Sequence, residues 1–250
     1  MIPIGDSLRS RTFPIVNSAL ILVNFLVFFV ELSQPNLNAW VFQWGTIPCF
    51  VDAAVHGSTQ ASCAVQGAVV QTLTGDSPLL RLLTSMFIHG GWLHILGNML
   101  FLFVFGDNVE DAIGHAGYLI FYLVCGLLAD LAQTYADPAS AVPAVGASGA
   151  IAGVLGAYLV LYPRASVRTV IPIFFIPFML RIPAFVLMLF WFLTQIVGSS
   201  LFTFARATGG SGGVAYMAHV AGFVAGVVLI FVFRSGRRSI DLNRRPRFGQ

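Results

Sequence analysis

Six apolar stretches recur along this chain, and most are close to the length that crosses a bilayer as a helix. The hydrocarbon core is about 30 Å thick, and a spanning helix needs ~20 apolar residues. Only 9% of the residues are charged, whereas charged residues make up about a quarter of ordinary soluble domains. The sequence therefore predicts an all-α membrane protein with six transmembrane helices, of which the fourth is short. The predicted spans are 14–32, 92–108, 116–134, 148–162, 183–198 and 214–233.

The basic residues, all of them arginine, predict how these helices are oriented. Most lie before the first span, between the fourth and fifth, and after the sixth, and the opposite loops hold only Arg81 and Arg206. The positive-inside rule then places both termini in the cytoplasm. We expect a cytoplasmic segment 1–13, one membrane domain 14–233 and a basic cytoplasmic tail 234–250. Arginines that follow a last span are typical topology determinants that also attract anionic lipid, so no nucleic-acid partner is expected.

Two connections between the predicted spans are unusual. Residues 33–90 form a long extracytoplasmic loop that contains Cys49 and Cys63, for which a disulfide bond and two free thiols both stay open. Three prolines interrupt residues 171–183, which argues against one straight helix and predicts a cytoplasmic interfacial connection. The first apolar stretch lacks the features of a cleaved signal peptide, so we expect it to be retained in a bacterial cytoplasmic membrane.

A serine and a histidine lie inside the apolar stretches, where polar groups are costly and commonly functional. Ser148 begins the fourth span, followed by Gly149, and His219 shares a helical face with Gly222 and Gly226 in the sixth. Glycines at this spacing let two helices approach closely in lipid. A serine hydroxyl becomes a nucleophile when a base removes its proton. The acidic residues nearest the spans have no spacing that places them beside His219, so the sequence predicts a Ser–His dyad.

The second span offers donors for the negative charge that acyl transfer builds on a carbonyl oxygen. His94 and Asn98 are four residues apart and project from one helical face. Each well-placed donor is typically worth ~3 kcal/mol in the transition state. The backbone N–H of Ser148, at a helix start, is a third candidate donor. Gly146 would allow the tight turn into that helix, and His89 lies just before the second span.

Each of these features also has a purely structural interpretation. A Gly-x-Ser-Gly run is common in glycine-rich membrane helices, and a lone intramembrane histidine often bonds a neighbouring helix. His94 and Asn98 could be a packing pair, and His89 with His94 could bind a metal. The chain has no His-Glu-x-x-His motif, so we expect neither a metal nor another cofactor. The joint occurrence of the features favours a hydrolase.

The order and spacing of these residues resemble the rhomboid intramembrane serine proteases. The similar residues are His89, His94 and Asn98, then 146–149, then 218–222 with Gly226, flanked by Arg81 and Glu110. The resemblance covers about 81–233. It differs at Leu80, where many members have tryptophan, and at Ala152, where many have an aromatic ring against the histidine.

The resemblance implies a six-helix rhomboid-like bundle whose active site opens to the extracytoplasmic side. Ser148 would be the nucleophile and His219 the general base, with His94, Asn98 and the Ser148 amide forming the oxyanion hole. The partners would be single-span membrane protein substrates in lipid. Two alternatives remain: a non-catalytic rhomboid relative that binds clients, and a small transporter or channel lined by the intramembrane His and Asn. No internal repeat supports the transporter, and the sequence leaves the oligomeric state open.

Overall fold

The computed structural model describes residues 1–57, 62–65, 68–71, 77–173, 176–207 and 215–234. The side chains of 62–65, 68–71, 172, 173, 176 and 199–207 are outside this description. The side chains of Cys63 and Arg206, and the tail beyond Arg234, therefore lie outside the described residues.

Helices dominate the described part of the chain. The helices are α1 Ile15–Leu32, α2 Leu37–Trp44, α3 Pro48–Val55, α4 Pro78–Thr84, α5 Trp92–Ile113, α6 His115–Ala136, α7 Ser148–Leu161, α8 Ala184–Ala207 and α9 Tyr216–Arg234. A 3-10 turn, Ser85–Phe87, follows α4. The strands are β1 Ile2–Asp6, β2 Ser62–Val65, β3 Ala68–Gln71, β4 Ser166–Ile173 and β5 Ile176–Pro183.

The six predicted spans coincide with α1, α5, α6, α7, α8 and α9. Among the described residues, α1, α5, α6 and α9 are long and apolar enough to cross a membrane, which identifies a multi-pass membrane protein. The remaining two are shorter: α7 has 14 residues, and the apolar part of α8 is Ala184–Gly198. That all six helices cross remains a prediction.

Helix α7 lies at the centre of the bundle. It contacts α5, α6, α8 and α9, and most of its residues are buried, including Ala152 and Val154. A helix that is apolar all round lies either in a protein core or in a membrane span, and the contacts of α7 with four other helices place it in the core of this bundle. The first residue of α7, Ser148, is consequently held at one end of the protein core.

A three-stranded antiparallel sheet corrects the all-α prediction. Its order is β1-β4-β5, and β1 pairs with β4 so that Ile2 faces Val170. A second hairpin, β2–β3, lies in the long loop with α2, α3 and α4. The described part of the chain is mostly helical with two small sheets, and the β-branched residues of β4 are of the type that strands favour.

The predicted connection at 171–183 is thus a β-hairpin. Pro172 faces Pro177 near its tip, beyond the residues of β4 that pair with β1. Proline has no backbone N–H to donate, so it is disfavoured where a strand is paired on both sides. At Pro172, β4 pairs with β5 and lies beyond the last residue that pairs with β1. The prolines exclude a helix here, as expected, and are compatible with the strand ends.

Strand β1 is anchored to the bundle by the buried Asp6. The Asn108 amide nitrogen donates to its carboxylate at 2.9 Å, and the Tyr158 hydroxyl donates to the same oxygen. The start of the chain is thereby attached to α5 and α7.

The buried Glu110 on α5 organises the start of α1. Its carboxylate accepts from the backbone N–H groups of Val16 at 2.9 Å and Asn17 at 2.7 Å, and it contacts His115 on α6. First-turn amides lack partners within their own helix, so this carboxylate caps α1 and joins it to α5 and α6.

Candidate active site

Ser148 and His219 meet at the contact between α7 and α9. The Ser148 Oγ lies 2.7 Å from the His219 Nε2, within the range of an O–H···N hydrogen bond. Each residue is in the first turn of its helix. The separation suits proton transfer from a hydroxyl to a neutral imidazole.

Glycines at the contact of α7 and α9 make this distance attainable. A Cβ added at Gly222 would lie 2.1 Å from the carbonyl oxygen of Gly149, and one at Gly226 would lie 2.0 Å from that of Gly153. A Cβ at Gly156 would be 2.2 Å from the Phe223 carbonyl oxygen. Larger residues would separate the helices, so the small-residue spacing in the sequence corresponds to a backbone-to-backbone contact.

The other side of the His219 ring contacts α8. Its Nδ1 lies 2.8 Å from the Gln195 Oε1, and the Trp191 ring is 5.8 Å away, centroid to centroid, at 39°. Ala152 is buried but offers no ring. The aromatic partner of His219 therefore comes from α8, and an amide takes the place that a carboxylate occupies in a triad.

His94, Asn98 and Gly146 converge beside Ser148. The φ of Gly146 is +122°, and a Cβ there would lie 2.7 Å from the His94 Nε2 and 3.6 Å from the Asn98 Nδ2. The backbone N–H of Gly90 donates to the His94 Nδ1 at 3.4 Å. An Nδ1 that accepts leaves the proton on Nε2, so His94 directs a donor toward the loop that carries Ser148.

His89 orients the Asn98 side chain. The Asn98 Nδ2 donates to the His89 Nε2 at 3.1 Å, and the His89 backbone N–H donates to the Glu31 Oε2 at 3.0 Å. Burial, together with nearby His94, lowers the pKa of His89 to about 4. A neutral His89 can accept from Asn98, whereas a protonated one cannot.

A buried polar cluster supports the loop that leads to Ser148. The Ser85 hydroxyl donates to Asp130 at 2.6 Å, and the Thr46 hydroxyl lies 3.2 Å from the same carboxylate. The Ser85 carbonyl accepts from the Gly146 N–H at 2.8 Å. Asp130 thus acts through Ser85 on the backbone of Gly146, two residues before Ser148.

Arg81, on α4, links separate parts of the long loop. It is buried, donates to the Phe42 carbonyl at 3.0 Å and lies 5.7 Å from the Phe50 ring centroid. Nearby Cys49 is disulfide-bonded, and Cys125 is a free, buried cysteine. The Arg81 side chain therefore joins α4 to α2 and α3.

No group of three His, Cys, Asp or Glu side chains in the described residues could hold a metal ion. A cavity of about 190 Å³ lies between α5, α7 and α8, and its lining includes Phe101, Leu155, Met188 and Trp191. Its walls are mainly apolar.

Sequence reasoning missed the residues that contact His219 from α8, and the glutamine that binds the start of α9. Gln133 accepts from the Ala218 N–H through its Oε1 at 3.2 Å. A signal for both glutamines exists, because Gln133 and Gln195 are polar residues within apolar helices. Trp191 precedes Gln195 by four residues, which puts the two on one helical face.

The fold and this cluster define a multi-pass membrane protein with a serine, a histidine and amide and imidazole donors gathered at one end of its helices. A family model, the Rhomboid domain, matches residues 76–236, which is more than half of the chain. The chain belongs to the rhomboid family, as the motif spacing predicted.

Relatives from bacteria, plants and a virus are similar over parts of their length. Rhomboid protease GluP of Bacillus subtilis is 38% identical over 104 residues, 41% of this chain and 20% of that protein. Rhomboid-like protein 11, chloroplastic, of Arabidopsis thaliana is 28% identical over 162 residues, 61% of this chain and 51% of that protein. Putative rhomboid protein L523 of Acanthamoeba polyphaga mimivirus is 26% identical over 176 residues, with 66% and 82% covered. The chain spans about half or less of the first two relatives.

Proposed function

We propose that this protein is an intramembrane serine endopeptidase that cleaves single-span membrane proteins within or near the bilayer. The observation that carries the proposal is the 2.7 Å contact of the Ser148 Oγ with the His219 Nε2. Family membership and similarity to Rhomboid protease GluP of Bacillus subtilis support the same reaction class.

The reaction follows from the two side chains. The Ser148 Oγ attacks the scissile carbonyl carbon while the His219 Nε2 takes the hydroxyl proton, and a tetrahedral oxyanion forms. His219 then gives that proton to the departing amine, the C–N bond breaks and an acyl-enzyme remains. Water, deprotonated by His219, attacks the ester. The acid product leaves as Ser148 regains its proton.

The oxyanion would be stabilised by the His94 Nε2–H, the Asn98 amide and the Ser148 N–H. Gly146 brings the loop against the first two groups. Donors held before the reaction need no reorganisation when charge develops, and removal of one such donor commonly costs a factor of about 10² to 10³ in kcat. His89, Gly149, Gly222 and Gly226 would support this geometry.

The setting of the site argues for membrane substrates. The dyad joins α9, which is long enough to cross a bilayer, to α7, which packs among such helices. A substrate helix must expose its backbone at this place to be cut. We propose a bacterial cytoplasmic membrane with both termini in the cytoplasm and the site opening to the extracytoplasmic side. The membrane domain would be 14–233, and neither a metal nor another cofactor would take part.

A reconstituted cleavage assay tests the proposal. The wild-type protein in liposomes is incubated with a panel of single-span model substrates, and the fragments are identified by mass spectrometry. We expect cleavage by wild type, none by Ser148→Ala or His219→Ala, and normal cleavage by Ser33→Ala, an exposed serine at the end of α1. A fluorophosphonate probe should label wild type and Ser33→Ala at Ser148.

Identical fragments from wild type and Ser148→Ala would contradict the proposal, because the cleavage would then not depend on Ser148 and would come from a contaminating protease. Absence of both cleavage and probe labelling in a folded wild-type protein would favour the non-catalytic, client-binding alternative. Co-purification of an uncut membrane protein would then identify the client.

A further inference from the structure

We infer that Gln195 is a positioning residue for His219, so that the pair Ser148–His219 works as a triad whose third member is an amide. This inference rests on the proposed serine protease function. It assigns a role to α8, a helix in which the sequence analysis identified no functional residue.

The orientation of the Gln195 amide is determined by its own neighbours. Its Nε2 lies 3.1 Å from the Thr194 Oγ1 and 3.3 Å from the Trp191 carbonyl oxygen. The Thr194 hydroxyl donates to that same carbonyl, so its oxygen is free to accept from the amide. A flipped amide would set its oxygen against the Trp191 carbonyl oxygen, and two acceptors repel. The Oε1 therefore faces His219.

An amide oxygen accepts and does not donate, and this selects one tautomer of His219. The Nδ1, 2.8 Å from the Oε1, must carry the proton. The Nε2 then presents its lone pair to the Ser148 Oγ at 2.7 Å. This is the tautomer that can remove the serine proton, and selecting it is the task that the buried carboxylate performs in a Ser–His–Asp triad.

Trp191 limits the ring's remaining freedom. Its ring lies 5.8 Å from the imidazole and 6.1 Å from the ring of Phe223 on α9. Gln195 is one helical turn further along α8 on the same face. A hydrogen bond in the plane of the imidazole and an aromatic surface beside it together hold the ring, because Ala152 offers only a methyl group.

A variant series separates positioning from packing. Gln195→Leu keeps the approximate volume and removes the acceptor, and we expect kcat to fall about tenfold with KM within twofold, since a neutral hydrogen bond contributes on that scale. Gln195→Glu keeps an acceptor opposite the Nδ1, and its second oxygen can accept from the Thr194 hydroxyl once that hydroxyl rotates away from the Trp191 carbonyl, so most of kcat should be recovered. Leu193→Ala, on an exposed position of α8, should leave both constants unchanged.

The tautomer is a readout that does not depend on activity. Nitrogen-15 NMR of the histidine-labelled protein, with His219 assigned from the spectrum of His219→Ala, should show Nδ1 protonated in wild type and in Gln195→Glu. A mixture of tautomers is expected in Gln195→Leu. The thermal unfolding midpoints of all variants establish that they are folded.

Different outcomes separate this inference from the proposed function. A wild-type kcat in Gln195→Leu, or an unchanged His219 tautomer in that variant, would contradict the positioning role of Gln195. Either result would leave the proposed serine protease function standing. A wild type without Ser148-dependent cleavage or labelling would instead remove the proposed function itself.

Discussion

At residue 146 a glycine is required for two independent reasons. Its φ of +122° lies in the region where a side chain costs about 1–2 kcal/mol, and a Cβ would lie 2.7 Å from the His94 Nε2. We expect Gly146→Ala to lower kcat/KM at least about tenfold in the cleavage assay, because the alanine displaces His94 and Asn98, the proposed oxyanion donors. Gly97→Ala, whose Cβ would meet no atom within 4 Å, is the matched control. Equal losses in both variants would contradict this explanation.

His89 makes stability depend on pH. Burial lowers its pKa in the folded protein to about 4, from 6.5, so the unfolded chain binds the extra proton between these values. The stability that depends on neutral His89 is fully present above pH 6.5. It is lost as the pH falls toward 4, by roughly 3 kcal/mol in total.

Thermal unfolding in detergent between pH 7 and pH 4.5 measures this effect. We expect the midpoint of His89→Gln to fall less than that of wild type, since glutamine does not titrate. The titratable groups beside His89 are His94 and Glu31, and both are kept in the variant. Parallel curves for the two proteins would show that His89 is not responsible.

The sequence predicted the residues of the candidate site whose spacing is local, and it missed those whose partners lie on another helix. His94 and Asn98 share a helical face at i and i+4, and the glycines near Ser148 and His219 predict that the two helices carrying these residues pack closely. Gln195 contacts His219 only because α8 has a particular rotation and depth beside α9. Neither quantity can be read from a span's own residues, so the sequence predicted the pair Ser148 and His219 and did not predict the contact of Gln195 with His219.

At the scale of elements, the contact between α7 and α9 depends on missing side chains. Gly226→Val would force its Cβ into the Gly153 carbonyl oxygen, 2.0 Å away, and separate the helices by an ångström or more. A displacement of about 1 Å at a reacting pair can cost a factor of about 10². We expect Gly226→Val to lose at least that much kcat and to unfold at a lower temperature.

Gly117→Ala on α6 is the control for this prediction, because its Cβ would make ordinary contacts of 3.7 Å. It should match wild type in both measurements. If Gly226→Val kept wild-type kcat, the close approach of α7 and α9 would not be what brings His219 to Ser148.

The six apolar helices were predictable to within a few residues at most ends, because apolar length and composition mark a membrane helix directly, whereas the short helices α2, α3 and α4 of the long loop were not predicted. The main exception is α8, which continues past the predicted end to Ala207. The pairing of β1 with β4 was not predictable, since the two strands lie far apart in the chain. Within 171–183 the prolines excluded a helix, yet they gave no information about a strand partner.

At the scale of the whole molecule, orientation is the principal proposal to test. Alkaline phosphatase folds only where its disulfides form, outside the cytoplasm. Fused after Gly57 it should be active, and fused after Arg234 it should be inactive, while green fluorescent protein at the second position should fluoresce. The reverse pattern would place the candidate site on the cytoplasmic side and would contradict the orientation predicted from the distribution of the arginines.

The pairing of β1 with β4 restricts how the chain is threaded through the bilayer. Backbone hydrogen bonds cannot join strands on opposite sides of a membrane, so Ile2 and Val170 share one side. The number of crossings between them must then be even. Helices α1, α5 and α6 lie between these two residues and are long enough to cross, whereas α2, α3 and α4 have eight residues or fewer and are too short to span. If α1, α5 and α6 all cross, an even number requires a fourth crossing, which must be made by α7, the 14-residue helix that begins at Ser148.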